Sequence, residues 1–220
     1  MLSSFLFLTV EADITVPIYQ WQQKLMDIVL MDISTQGLNE LSAHSRTDHC
    51  DLHGRIFLEG LVTHIHMNRR PYGNFIITAL PPTTTHIELT ICKQTFQFNT
   101  HALPPRLQVL VLSTNNIYGT LNCGCLPVKL EVLNVMQNRL TGTIDLTSLP
   151  RPIKTFFVSH NCFHQHTVWY DNLPENLKAI GLIGGGSFDA YWFTEIRAVF
   201  PDNTVKDKHI FVFVKPKRIF

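Results

Sequence analysis

The sequence is poor in charge. Asp, Glu, Lys and Arg make up 16% of its 220 residues, and the formal net charge is +1 with histidine neutral. An average soluble domain carries roughly 25% charged residues. So even a balance argues against binding nucleic acid by bulk electrostatics. It leaves neutral surface instead, as expected of a chain that a partner covers. Long apolar runs are missing too: nothing approaches the roughly 18 residues of a membrane span. The five cysteines (Cys50, Cys92, Cys123, Cys125 and Cys162) show no CxxC spacing, which argues against a zinc ribbon or a disulfide framework. No asparagine opens an Asn-x-Ser/Thr sequon. These two absences point to a reducing, intracellular and cytoplasmic setting. Catalytic signatures are absent as well. No Ser-His-Asp or paired-carboxylate arrangement can be assigned, and Gly184-Gly185-Gly186 is followed by no Lys-Ser/Thr and lies in no GxGxxG context. The expectation is a non-enzymatic chain without a cofactor.

What is present is apolar residues, 45% of the chain, and a strong repeat. A Leu-Pro pair recurs at Leu80, Leu103, Leu126, Leu149 and Leu173, in steps of 23, 23, 23 and 24 residues. The text between the pairs keeps one register. Leu107, Leu130, Ile153 and Leu177 come first, then Leu110, Leu133, Phe156 and Ile180, then Leu112, Val135, Val158 and Leu182. A polar position follows at Asn115, Asn138 and Asn161, then an apolar one at Ile117, Leu140 and Phe163, then Gly119 and Gly142.

Each feature has a physical reason. The Leu-x-Leu pair alternates with period two, as a short strand with one buried face does. One coil cannot close a core, so coils must stack into a parallel sheet with the leucines inside. The buried turn leaves backbone groups unpaired, and an asparagine amide both donates to and accepts from them. Glycine fits the tight bend that follows, and proline before the strand prevents a helix.

The copies LQVLVLSTNNIYGTL from Leu107 and LEVLNVMQNRLTGTI from Leu130 resemble the leucine-rich-repeat family, pattern LxxLxLxxNxLxGxI. The phrase GTIDLTSLP is similar both to repeat arrays of kinetoplastid-like protists and to the LxGxIP type of plant receptors. The resemblance covers Leu80 to Leu182 well. It implies an α/β-type repeat solenoid: a horseshoe of about six to seven coils with a concave parallel sheet and helical caps. The family pattern allows cysteine at the ladder position, which accounts for Cys92. It also suits Cys50, making Leu52, Gly54 and Ile56 the tail of a degenerate first repeat. In the second repeat Ile65 and Met67 are the expected inward pair and Gly73 the bend.

The ends should be caps. Ile18 to Met31 reads as an amphipathic helix with Trp21, Leu25, Ile28 and Val29 at helical spacing. Asp189 to Phe200 reads as a helix bearing Trp192, Phe193, Ile196 and Val199, and Ile210 to Val214 as a last strand before the basic tail Lys215-Pro216-Lys217-Arg218. Leu2 to Val10 is a buried first strand or cap, or the apolar core of a cleaved signal. It lacks a basic leader, and Glu11 and Asp13 follow at once. The expected division is 1–37 for the N-terminal segment and capping helix, 38–186 for the solenoid and 187–220 for the C-terminal cap.

Function should lie on the concave strands, on the residues beside the leucines. The expected partner-binding set is Val109, Val111 and Ser113; Val132, Asn134 and Met136; Thr155, Phe157 and Ser159. Ala179, Gly181 and Ile183 continue it. Nothing in that centre is charged, and exposed contiguous apolar area marks an interaction site. The other end differs. His64, His66, His86 and Glu88, extended by His44, are candidate metal ligands, a pH-sensitive patch, or plain polar surface. His160, His164 and His166 with Cys162 look metal-like, but Asn161 sets them on the ladder and outer turn. Cys123-Gly124-Cys125 belongs on a convex turn.

Three functions follow from these readings. The first is a protein-binding scaffold acting through the concave face. The second is an accessory subunit of a large assembly, a ribonucleoprotein among the candidates, in which the basic tail would be the nucleic-acid contact. The third is a histidine-based metal or pH-sensing protein.

Overall fold

The leucines dictate the architecture. In a computed structural model, the structure describes residues 18–42, 55–58, 61–184 and 192–220. Leu2–Val10, His44, Cys50, Leu52, Gly54 and Asp189 lie outside these. At the N-terminal end stand helix α1 (Ile18–Val29), strand β1 (Asp32–Ile33) and helix α2 (Thr35–Ser42). Strands β2 (Arg55–Leu58) and β3 (Leu61–Asn68) follow, then β4 (Gly73–Asn74), which pairs back onto β1. Each later coil has an inner strand and a short outer one. The coils are β5 (His86–Thr90) with β6 (Gln97–Phe98), and β7 (Val109–Val111) with β8 (Tyr118–Thr120). Next come β9 (Val132–Asn134) with β10 (Arg139–Thr141) and β11 (Asp145–Leu146), then β12 (Thr155–Phe157) with β13 (Thr167–Tyr170). The last are β14 (Ala179–Gly181) with β15 (Glu195–Ala198), and β16 (Phe211–Val212).

The inner strands form one eight-stranded sheet in the order β2-β3-β5-β7-β9-β12-β14-β16. Its pairs are parallel from β3 onward. The outer strands make two smaller sheets, β6-β8-β10 and β11-β13-β15. Between inner and outer strands runs a continuous core. Leu107, Leu110, Leu130, Leu133, Ile153, Phe156 and Ile180 are all fully buried in it.

The asparagines do what the sequence asks of them. Asn138 Nδ2 donates to the carbonyls of Leu112, Val135 and Met136 at 2.8, 3.1 and 3.2 Å, while its Oδ1 accepts from Ile117 N at 3.0 Å. Asn115 and Asn161 repeat the pattern one coil to either side. Asn115 Oδ1 also accepts from Cys92 N at 3.0 Å. Cys92 holds the ladder position expected of it, buried, with its thiol toward the Thr90 and Met67 carbonyls. The residue just before each ladder position is left-handed: Ile91 (φ 56°), Thr114 (59°), Gln137 (54°) and His160 (57°). That turn swings the chain from the strand into the core.

The second repeat follows its reading. Ile65 and Met67 are buried, and Gly73 has φ 129°. A Cβ there would stand 2.1 Å from the Asp32 carbonyl, so only glycine lets β1 pair with β4.

Four expectations need correcting. Ile56 lies in β2, which is antiparallel to β3, so this segment is a hairpin arm and not the tail of a parallel repeat. Helix α1 forms with its buried face rotated from the expected one: Val29 is inward as expected and Leu25 half-buried. Gln22, Met26, Val29 and Leu30 are buried, whereas Trp21 and Ile28 are exposed. The rotation brings a polar group inward: Gln22 Oε1 accepts from Val62 N at 2.6 Å, both buried. The helix read over Asp189 to Phe200 is, where described, the strand β15. It adds in parallel to β13, and Ile196 and Ala198 alternate inward with Arg197 outward. The open edge of β13 supplies hydrogen bonds that an isolated helix would not satisfy. The C-terminal section therefore continues the coils on both sheets, with Phe211 fully buried. The fourth correction, at Ser159, belongs to the site below.

Two measurements test these points. Asn138→Ala leaves buried backbone groups without partners and should lower unfolding free energy by about 3 kcal/mol in urea denaturation. A loss under ~1 kcal/mol would contradict the role given to the ladder. Ile91→Asn removes a β-branched residue from a left-handed position and should raise stability by about 1 kcal/mol. An unchanged or lower denaturation midpoint would show that Ile91 is not strained.

Candidate functional site

The ladder fixes the vertical alignment of coils, and parallel register turns that alignment into rows across the concave face. The first row runs His64, His86, Val109, Val132, Thr155, Ala179. The second runs His66, Glu88, Val111, Asn134, Phe157, Gly181, and ends at Val212. Ser113, Met136, Ser159 and Ile183 follow at the strand ends. Val109, Val111, Ser113, Val132, Asn134, Met136, Thr155 and Phe157 are all half-buried, as side chains on a curved inner surface are. Ser159 is the exception among the expected set. It is 3% exposed, and its Oγ accepts from Ile183 N at 3.0 Å. Gly181 and Ile183 are buried as well. The Phe157 ring leans over Gly181, and the last coil closes around this end. Ser159 is thus a satisfied internal hydroxyl, not outward surface.

The histidine end holds different chemistry. His64 and His86 stack at 4.0 Å between ring centroids, 13° from parallel. Each Nδ1 is held by the threonine before it, Thr63 Oγ1 at 2.9 Å and Thr85 Oγ1 at 2.8 Å. In the next row His66 Nδ1 meets Glu88 Oε2 at 2.8 Å, a solvent-exposed pair. Such pairs contribute little to stability. Burial, and then the neighbouring His86, pull the His64 pKa below its ordinary 6.5, with Glu88 opposing. The histidines are brought together, but as a stack and a separate pair, not converging on one point. Among the described residues no group of three or more His, Cys, Asp or Glu is placed to hold a metal ion. The later cluster does not converge either. Phe163 points inward while Cys162, His164 and His166 are exposed on the outer turn. Cys123 is buried, and burial pushes its thiol up to about 12, which suits a core residue and not a reactive one.

Two contributors to the concave surface were not named from sequence, Val212 and Phe213 of the last coil. Alternation in IFVFV signals Val212 but puts Phe213 on the same face as Phe211; the strand ends at Val212, and Phe213 turns outward through a left-handed φ of 62°. Phe211 points in, and Phe213, 72% exposed, points out.

No family model and no curated protein sequence matches the chain. Solved structures do. A structure titled Pollen Receptor Kinase 3 is similar at TM-score 0.56 and 20% identity, over 84% of this chain and 100% of that one. The LRR ectodomain of the receptor kinase SOBIR1 from Arabidopsis thaliana is similar at TM-score 0.54 and 17% identity, over 76% and 93%. The chain has the leucine-rich-repeat fold. At this identity the likeness extends to the fold alone. A leucine-rich-repeat solenoid offers a binder a wide inner sheet whose side chains are free of the core, and here that sheet grades from imidazole to hydrocarbon. No described helix is long and apolar enough to cross a membrane.

The histidine stack gives a pH prediction. His64 takes up a proton less readily folded than unfolded. The unfolded chain therefore binds protons first as pH falls through about 6.5, and folding stability drops below that value. The wild-type unfolding midpoint should fall between about pH 7 and pH 5, and His64→Gln should flatten that fall. An identical pH dependence in wild type and variant would mean that burial and the neighbouring His86 do not depress His64.

Proposed function

We infer that the chain is a protein-interaction scaffold that holds a partner against its concave face. One observation carries this reading. Val109, Val111, Val132, Met136 and Phe157 stand in adjacent rows, partly exposed, with no charged residue among them. Ser113, Asn134 and Thr155 interleave as neutral hydrogen-bonding groups. Removing the remaining apolar area from water yields about 25 cal/mol per Å². Uncharged rows favour a close, long-lived fit over an electrostatically steered encounter. The role is binding, not catalysis. Cys92, Cys123, Cys125 and Cys162 are all unpaired thiols, which supports an intracellular, cytoplasmic setting.

A second reading, an accessory subunit built permanently into a larger assembly, draws on the two ends. Trp21, Ile28 and Met31 are exposed at one, Phe200 and Phe220 at the other. Both readings meet in one experiment, affinity capture of the tagged chain from its native extract. Val111→Asp with Met136→Glu should abolish capture of the stoichiometric partner while the unfolding midpoint stays within a few degrees of wild type. Retained capture by that variant, with loss on Trp21→Asp or Phe200→Asp, would overturn the concave-face reading in favour of the subunit.

A further inference from the structure

The concave face ends in a niche. Its volume is about 320 Å³, with Met136 and Phe157 on one side, Val212 and Phe213 on the other, and Gly181 and Ile183 between them. Two backbone features shape it. A Cβ at position 181 would stand 2.5 Å from the Phe157 ring, so only glycine lets that ring settle along the wall. Parallel register sets Val212 beside Gly181, and Phe213 then leaves the strand with a left-handed φ of 62°. The last coil thereby raises the far wall.

The lining selects its guest. Ser159 Oγ is engaged by Ile183 N, so no buried polar group waits for a partner, and His160 also borders the niche. A polar guest would lose its hydration without compensation, and an apolar one would not. Ligand pockets run from roughly 300 to 1,000 Å³, so this one has room for a single large side chain, not for a nucleotide-sized molecule. Two aromatic rings and a thioether across from each other favour an aromatic guest through edge, face and sulfur contacts.

Lys154 Nζ is occupied by Glu131 at 2.5 Å, whereas Lys178, its neighbour on the next coil, is exposed and makes no ion pair among the described residues. Lys178 directly precedes β14, the strand that carries Gly181.

We propose that this niche is the anchor site of the concave face, taking one aromatic side chain from an extended segment of the protein partner whose carboxylates face Lys178. The proposal rests on the concave-face reading and names the chemistry of its partner. A large aromatic residue in a desolvated pocket is the usual dominant contact of such an interface. The uncharged rows from Val109 to Val132 then lie along the rest of the segment.

The test is selection of a displayed library of random linear peptides on the full chain, followed by affinities of the recovered peptides for wild type and single variants. Phe213→Asp is the informative one. The position is exposed and left-handed, a conformation aspartate accepts, so folding should survive, and its unfolding midpoint verifies this. Recovered peptides should share one aromatic residue with an acidic residue nearby. Phe213→Asp should weaken them about tenfold or more, Val111→Asp should weaken them as well, and Lys178→Glu should weaken them and remove the salt dependence. Peptides lacking a shared aromatic, or unaffected by Phe213→Asp, overturn the anchor site. If such peptides still respond to Val111→Asp, the concave-face reading survives without the anchor. Sensitivity to Phe213→Asp with indifference to Val111→Asp would make the niche an isolated apolar site, and would contradict both its role as anchor and the concave-face reading.

Discussion

Everything in this molecule depends on satisfying a backbone that turns inside the core. Each coil from β5 to β12 leaves its inner strand through a left-handed residue and dives beneath the sheet, where its carbonyls and amides would have no water. One side chain per coil, an asparagine in three successive coils and the Cys92 thiol before them, meets those groups. Each amide reaches carbonyls of its own coil and of the coil before, so the ladder also locks the spacing and rotation of the stack. Without that lock the leucines would still be buried, but the rows on the concave face would not line up. The alignment of the concave rows is a by-product of the polar interior.

That coupling explains what was legible in the sequence. The Leu-Pro period, the inward leucines, the asparagines and even the cysteine substitute announce themselves, because each position repeats a local physical need. The ends repeat nothing. At α1 the sequence offers two apolar stripes, and the structure buries the one that brings Gln22 to the Val62 amide, leaving Trp21 outside. That choice goes with a hydrogen bond 40 residues away. At β15, Trp192, Ile196 and Val199 fit a helix as well as a strand. The decision comes from the free edge of β13, which no local pattern encodes. Ser159 has the same origin. Its place in the repeat is outward, but Gly181 and the last coil close over it.

The concave face was readable as a surface that differs between its histidine end and its uncharged centre, but the ring stack and the closing niche were not. Register puts two stacked imidazoles and a His66–Glu88 pair at one end and a hydrocarbon niche at the other, with neutral rows between. Burial and the stacked His86 ring 4.0 Å away disfavour a charge on His64. A partner spanning both ends would meet a face whose shape is set by the ladder and whose polarity changes along its length.

The most direct measurement is hydroxyl-radical footprinting of the chain, free and bound to the partner captured from its own extract, with oxidation read residue by residue. If the concave face is the binding surface, Met136, Phe157 and Phe213 lose reactivity on binding, while Tyr118 and Trp169, exposed on the outer strands, keep theirs. Protection of Tyr118 and Trp169 with Met136 and Phe157 unchanged would place the partner on the convex side and contradict that central claim.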